Sequence, residues 1–79
     1  MPTLPDDDDW LLDEQHAIGD RIRVIRIRQN RTQESVFLAA RVARSTYQEI
    51  EAGTVDARVG TLRKIACVLG VHVTDLLHG

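Results

Sequence analysis

The stretch that decides the fold spans residues 32–53 and reads TQESVFLAARVARSTYQEIEAG. Thr32 is a good N-cap, because its side chain can accept a hydrogen bond from a free backbone amide, so a helix is predicted over Gln33–Ala40. Gly53 supplies a left-handed stop for a second helix, which is predicted over Arg44–Ala52. The few residues between the two helices form a tight turn. This stretch therefore predicts the geometry of a helix-turn-helix.

Further helices are predicted on both sides of this unit. Isoleucines that share one helical face indicate a helix over residues 17–29. After a loop over residues 54–58, apolar residues that repeat at intervals of three and four indicate a helix that ends at Gly70. Residues 73–77 form a last short helix. The sequence therefore predicts an all-α fold, a compact domain of five helices with no internal repeat.

Charge is distributed unevenly along the chain. The 79 residues carry a formal net charge of -2. Residues 1–15 hold six acidic side chains and no basic one, a contribution of -6, and the rest hold ten basic and six acidic ones, a contribution of +4. We therefore expect an acidic, partly flexible N-terminal arm over residues 1–15, in which Asp9 caps a short turn through residues 10–12. Residues 16–79 form the basic domain, whose charge permits DNA binding.

The composition gives no support to several classes of function. No apolar run approaches the roughly 18 residues of a membrane helix, and the N-terminus lacks the basic and apolar regions of a signal peptide. A cytoplasmic location without membrane contact is therefore expected. Cys67 is the single cysteine, and no histidine stands at zinc-like spacing from it, so no metal or cofactor is expected. No nucleophile-base, paired-carboxylate or phosphate-loop arrangement indicates an enzyme.

Short motifs follow one another along the chain in a recognisable order. They are Gln33-Glu34, Arg44-Ser45-Thr46-Tyr47, Ile50-Glu51-Ala52-Gly53 and Thr61-Leu62-Arg63-Lys64-Ile65-Ala66. With these motifs the chain resembles the Xre family of phage-repressor and Cro-like regulators over residues 18–77. Coverage of all five helices makes the match more specific than a lone helix-turn-helix. The resemblance implies a bacterial or phage-encoded protein with a lambda-repressor-like fold, in which helices 2 and 3 form the helix-turn-helix that binds double-stranded DNA.

The resemblance also implies which side chains read the bases. In the family the third helix lies in the major groove, and side chains near its N-terminus contact base edges. By position these are Arg44, Ser45 and Glu49. Arg44 suits bidentate donation to guanine, Ser45 can donate or accept, and Glu49 can accept from the cytosine amino group. A surface ion pair is the other interpretation of Glu49.

Phosphate contacts are predicted at four more residues. Gln33 and Thr46 match positions at which the family contacts phosphates, and Gln33 begins a helix whose free amides favour an anion. Arg58, in the loop after the third helix, is a candidate for a phosphate or for the minor groove. Arg41 lies in the turn, where it can face the DNA backbone.

Three residues depart from the family pattern. Phe37 replaces a small alanine, so it must push helices 2 and 3 apart or fill a gap elsewhere. Arg41 stands where glycine is frequent, so either it is mildly strained at positive φ or the turn is reshaped. Ala43 replaces the usual Ser or Thr cap of the third helix, at a cost of about 1 kcal/mol. These changes bear on the docking angle more than on the fold.

Residues with structural roles are also predicted by position. Arg26 and Glu51 match a family pair that bridges helix 1 to helix 3. Tyr47 stands where the family has a core aliphatic residue and is predicted to pack in the core, with a hydroxyl that can reach a phosphate.

Apolar residues of the first helix lie outside its predicted core face. Val24 and Ile27 occupy a face where the family carries charge, and such residues require cover. Two arrangements supply it: Trp10, Leu11 and Leu12 fold back onto them, or all five residues form a contact with another subunit or a protein partner. A Trp10 that hangs from a disordered arm is the alternative to both.

The function predicted from these features is a sequence-specific transcriptional repressor that binds an inverted repeat as a homodimer. The dimer contact lies either on the last helices, through Val71, Val73, Leu76 and Leu77, or on the N-terminal segment. The alternative is a protein-interaction module on the same scaffold, antitoxin-like or anti-repressor-like, with weak or no DNA binding.

Overall fold

The computed structural model describes Thr3 and residues 9–78. These residues form the helices α1 (Asp9–Arg28), α2 (Gln33–Ala40), α3 (Arg44–Ala52), α4 (Val59–Leu69) and α5 (Val73–Leu77), with no β-strand among them. The all-α fold and the predicted bounds of α2 and α3 are confirmed. Within the described part of the chain, no helix combines the length and the apolar character that crossing a membrane requires.

The first helix is longer than predicted. It begins at Asp9 rather than at residue 17 and runs without a break through residues 10–12. The separate short turn predicted at residues 10–12 is therefore wrong. No glycine or proline interrupts residues 9–18, and the acid at the first position is favoured by the positive end of the helix dipole. Helix formation thus extends into the segment that the charge pattern assigned to the arm.

A continuous α1 also excludes the predicted fold-back of its N-terminal apolar residues onto its second half. Residues fourteen positions apart on one helix are separated by about 21 Å along the axis, so Trp10 cannot reach Val24. Trp10, Leu12, Val24 and Ile27 are exposed, and Leu11 is half-buried. The fold-back prediction is wrong, and these apolar side chains lie at the surface of the domain.

One apolar core receives side chains from all five helices. The largest fully buried ones are Ile22, Val36, Tyr47, Leu62, Ile65 and Leu76. Complete burial of an aliphatic side chain of this size contributes roughly 1.5–3 kcal/mol. α1 packs on α3 and α5, while α2 packs on α3 and α4. The core therefore holds one face of α3 and leaves the opposite face in solvent.

The turn between α2 and α3 keeps the conformation that glycine usually provides. Arg41 adopts φ 57° and ψ 42°, in the left-handed region. Its N–H donates to the carbonyl of Leu38 at 3.2 Å, and the N–H of Val42 donates to the carbonyl of Phe37 at 3.0 Å. Of the two predicted alternatives, Arg41 is thus strained and the turn is not reshaped; the strain costs about 1–2 kcal/mol. Ala43 precedes α3 without a side-chain hydrogen bond, as predicted.

Side chains from α1 and the following loop satisfy free carbonyls at the ends of α4 and α5. Arg31 Nη1 donates to the carbonyl of Val68 at 2.6 Å, Gln29 Nε2 to that of Leu69 at 2.7 Å, and Arg21 Nη1 to that of Leu76 at 3.1 Å. The last carbonyls of a helix lack partners within the helix and carry the negative end of its dipole, so these donors stabilise both ends.

Gly19 lets α1 approach the end of α3 closely. A Cβ at this position would lie 2.5 Å from the carbonyl oxygen of Glu51 and 2.6 Å from that of Ile50. Both neighbours are backbone atoms, so they cannot move aside by a change of rotamer. Any side chain at residue 19 therefore separates the two helices.

We expect Gly19→Ala to lower the free energy of unfolding by about 1–3 kcal/mol, because the added methyl group overpacks this contact. Urea denaturation followed by circular dichroism measures the change. Gly60→Ala is the matched control, since Gly60 lies in α4 and a Cβ there would meet nothing within 4 Å. Alanine at residue 60 should stabilise the helix by up to about 1 kcal/mol. Equal stability of the Gly19→Ala variant and the wild type would contradict the close contact.

Candidate nucleic-acid interface

The buried face of α3 determines which of its side chains lie outside. Tyr47, Ile50 and Glu51 are buried. The exposed residues of the helix are Arg44, Ser45, Thr46, Gln48, Glu49 and Ala52. All three predicted base contacts are thus on the solvent side of α3.

Arg44 is held at the start of α3 by two neighbours from α2. Its Nη2 donates to Glu34 Oε2 at 3.1 Å, and its guanidinium carbon lies 5.5 Å from the centre of the Phe37 ring. Both partners of the ion pair are more than 60% exposed. A pair so open to water contributes less than about 1 kcal/mol, so the carboxylate orients Arg44 without binding it tightly.

Phe37 fills the space between α2 and α3. It is 5% exposed, and its ring centre lies 6.1 Å from that of Tyr47 at an interplanar angle of 50°. Tilted aromatic pairs at this separation are favourable. Phe37 therefore lies between α2 and α3 and does not fill a gap elsewhere; that it pushes the two helices apart stays a prediction.

Glu51 links three helices through its carboxylate. Arg26 of α1 donates to both oxygens, from Nε at 3.0 Å and from Nη2 at 2.7 Å. Gln33, the first residue of α2, donates to Glu51 Oε1 at 3.2 Å. Arg26 Nη1 also donates to the carbonyl of Arg31 at 2.9 Å. The predicted bridge between helix 1 and helix 3 is confirmed, and it also fixes Gln33.

This carboxylate is ionised although it is buried. Burial by itself raises the pKa of Glu51, but the hydrogen bonds from Arg26 and Gln33 outweigh burial and hold the pKa of Glu51 below its ordinary value of 4.5. The hydrogen bond to Glu51 in turn raises the pKa of Arg26. The pair is therefore charged throughout the neutral range.

Tyr47 lies beside this pair and is 0% exposed. Its hydroxyl meets no partner with hydrogen-bond geometry among the described residues, and burial raises the pKa of the phenol. The predicted packing role is confirmed. The suggestion that the hydroxyl reaches a phosphate is wrong, because the side chain has no access to the surface.

The structure places most of the predicted contact residues in two depressions that flank α3. Gln33 and Arg44 line the groove between α2 and α3. Thr46, Glu49 and Arg58 line a cleft between α3 and the loop that precedes α4. These five residues therefore surround the exposed face of α3 on both sides.

Arg41 lies apart from those two depressions. It lines a third groove together with Arg63 and Lys64 of α4. No acidic residue is among the residues that line this groove. Arg41 thus belongs to a basic patch beside the helix-turn-helix rather than to the immediate surroundings of α3.

Gln48 was not among the predicted contact residues. It is exposed and lines the same groove as Gln33 and Arg44. It lies one helical turn after Arg44 and three residues after Ser45, a spacing that brings side chains together on a helix. Its spacing from Arg44 and Ser45 in the sequence is enough to identify Gln48 as a candidate contact residue.

A compact helical core that presents a short polar helix, α3, beside a turn and a loop that each carry an exposed arginine has the architecture of a helix-turn-helix DNA-binding domain. The sequence agrees with this class. A profile of the helix-turn-helix family matches residues 22–76, and the chain belongs to that family. The resemblance to Xre-type regulators is thereby confirmed.

The fold is also similar to a known structure. The hypothetical transcription factor NHTF from Neisseria matches with a TM-score of 0.78 at 21% sequence identity. The match covers 98% of this chain and 85% of the other. At this identity the similarity concerns the fold. A search of curated protein sequences finds no match.

We expect Glu51→Gln to lower the free energy of unfolding at neutral pH by about 3 kcal/mol, because Arg26 is left largely buried without its carboxylate. A carboxylate whose pKa is lowered by folding stabilises the protein above its unfolded pKa, and that contribution is lost as the pH falls through the folded pKa. The wild type should therefore lose stability below pH 4.5 more steeply than the variant. Urea denaturation from neutral pH to about pH 3 measures both effects.

Glu34→Gln is the control for this experiment. Its carboxylate pairs with Arg44 in full contact with water, so the same substitution there should change stability by less than about 1 kcal/mol. If the wild type and Glu51→Gln lose stability equally at acid pH, Glu51 does not carry the acid-sensitive contribution.

Proposed function

We propose that this protein is a sequence-specific transcriptional repressor that binds an inverted repeat in double-stranded DNA as a homodimer in the bacterial cytoplasm. The observation that supports this proposal best is the exposed face of α3, on which Arg44, Ser45, Gln48 and Glu49 lie together. The major groove of B-DNA is wide enough for an α-helix. In this proposal α3 enters the groove with that face toward the bases.

Each side chain on this face has a role that its chemistry allows. Arg44 donates two hydrogen bonds to O6 and N7 of a guanine, and Gln48 makes the corresponding bidentate contact with an adenine. Ser45 donates to or accepts from a neighbouring base, and Glu49 accepts from a cytosine amino group. These four residues determine the sequence of the half-site.

Arg44 exchanges one partner when DNA binds. The carboxylate of Glu34 is replaced by guanine, at little cost because that ion pair is exposed. Phe37 lies under the guanidinium in the free protein and keeps it close to the base-reading direction. Phe37 thus limits the side-chain entropy that Arg44 loses on binding.

The remaining contacts hold the phosphates. Gln33 is fixed by Glu51 at the N-terminus of α2, where free amides favour an anion. Thr46 and Arg58 contact the backbone from the cleft on the other side of α3. Arg41 reaches a phosphate beyond the turn. Such contacts set the register and contribute affinity without reading sequence.

A dimer would place two copies of α3 in successive major grooves, about 34 Å apart. The two-fold symmetry of the protein is then matched by the symmetry of an inverted repeat. A dimer bound over a promoter excludes the polymerase by occupying the DNA, so repression requires no further contact.

The second candidate function is a protein-interaction module on the same scaffold. The exposed apolar residues of α1 favour it, since such residues are typical of protein contacts. DNA binding separates the two functions. The logarithm of the affinity of a DNA reader falls linearly with the logarithm of the salt concentration, because phosphate contacts release counterions.

We expect Arg44→Ala to weaken binding to the preferred duplex by about 1–3 kcal/mol and to relax selection at one base pair. The preferred duplex is first selected from a random-sequence library with the wild-type protein, and fluorescence anisotropy then gives affinities over a range of salt. Arg63→Ala is the comparison, because Arg63 lies in the basic patch with Arg41 and away from the depressions beside α3. Its removal should weaken binding to all duplexes alike and leave the selected base sequence unchanged. Binding that is indifferent to salt and to Arg44→Ala would favour the interaction module.

Glu34→Gln should tighten DNA binding about threefold to tenfold. The substitution frees Arg44 from its carboxylate partner and removes a negative charge close to the phosphates. The same anisotropy titration measures the change. Weaker binding by Glu34→Gln would show that the carboxylate assists recognition instead of competing with DNA.

A further inference from the structure

Exposed apolar side chains are concentrated on α1. Of the six large hydrophobic residues that are exposed in the described part of the chain, four lie on this helix: Trp10, Leu12, Val24 and Ile27. Trp10, Ala17 and Val24 follow one another at seven-residue spacing, which keeps them on nearly the same side of a helix. Ile27, three residues after Val24, extends this side by one turn. We name Trp10, Ala17, Val24 and Ile27 the α1 stripe.

The charges of α1 are separated along its length. Its N-terminal part, residues 9–20, holds the acids Asp9, Asp13, Glu14 and Asp20 and no lysine or arginine. Its C-terminal part, residues 21–28, holds Arg21, Arg23, Arg26 and Arg28 and no acid. Asp20 and Arg23, where the two parts meet, form an ion pair at 2.6 Å. The helix is therefore acidic at one end and basic at the other.

We propose that the α1 stripe is the contact between two copies of this chain, and that the two α1 helices lie antiparallel. In this arrangement the acidic part of each helix faces the basic part of the other, whereas a parallel arrangement brings like charges together. Ala17, the small residue midway along the stripe, lies at the crossing point. Trp10 of one copy then covers Val24 and Ile27 of the other.

The C-terminal helices offer less apolar surface for such a contact. Leu76 is 0% exposed and belongs to the core. Val71, Val73 and Leu77 are partly buried and pack against that core. Among the residues considered for dimerisation from the sequence, those of α1 are the more exposed.

This inference names the contact for the dimer in the proposed function and relies on that function for its biological role. Its test contains no DNA. A dimeric protein that reads DNA and whose dimerisation is unaffected by the α1 variants would overturn the inference alone. A dimeric protein that ignores DNA would overturn the proposed function alone.

Two charge-reversed proteins test the antiparallel arrangement. Six charged side chains of α1 are exposed: Asp9, Asp13, Glu14, Asp20, Arg23 and Arg28. Asp13→Lys with Glu14→Lys makes four of these six charges basic, and Arg23→Glu with Arg28→Glu makes all six acidic. Sedimentation equilibrium of the wild type should give a dimer. Each variant alone should dimerise at least about tenfold more weakly, because like charges now face each other. An equimolar mixture of the two variants should form a heterodimer. Circular dichroism verifies that both variants are folded.

The apolar part of the contact is tested separately. Val24→Ser with Ile27→Ser should weaken dimerisation about tenfold or more, since it removes the residues that Trp10 covers. Val59→Ser is the control, because Val59 is 55% exposed, close to the 56% of Ile27, and lies on α4. A monomeric wild type, a dimer unaffected by both sets of variants, or folded charge variants that fail to associate when mixed would each overturn the proposal.

Discussion

The ion pair between Arg26 and Glu51 is the constraint on which the recognition surface depends. The side chain of Glu51 is held by α1 through Arg26, and its backbone carbonyl meets the same helix at Gly19. These two contacts lie two turns apart on α1, so they fix both the position of α3 and its rotation about its own axis. That rotation decides which side chains of α3 are buried and which are presented to solvent. Gln33 donates a hydrogen bond to the same carboxylate, so the start of α2 is also fixed relative to α1 and α3.

The departures from the usual helix-turn-helix pattern compensate for one another. Phe37 occupies volume between α2 and α3, and Tyr47 provides the ring on which it packs. The same phenyl ring supports the guanidinium of Arg44 on its outer side. Arg41 accepts backbone strain and adds a positive charge at the turn. A larger residue between the helices is therefore tolerated without loss of the turn, because its neighbours are matched to it in size and polarity.

Local signals in the sequence were enough to place α2 and α3, because caps such as Thr32 and Gly53 act within one turn of the chain. The start of α1 was misplaced because the change in composition near residue 15 concerns charge and contains no helix breaker. The role of Gly19 could not be predicted from the sequence, since the need for a glycine within a helix depends on which backbone atoms pack against it. Gln48 was detectable from its spacing. The residues that touch DNA stay a prediction, because burial and contacts within the protein do not determine where DNA lies on its surface.

The partners of α1 lie far along the chain. Arg26 pairs with a residue 25 positions later, and Arg21 holds a carbonyl 55 positions later. Contacts between distant residues close long loops and form slowly compared with those between neighbouring helices. α2, α3 and α4 can therefore assemble early from nearby contacts, while the docking of α1 waits for α3 and α5. During synthesis on the ribosome α1 emerges before the segments that cover it. It is therefore the first helix to be made and the last to dock.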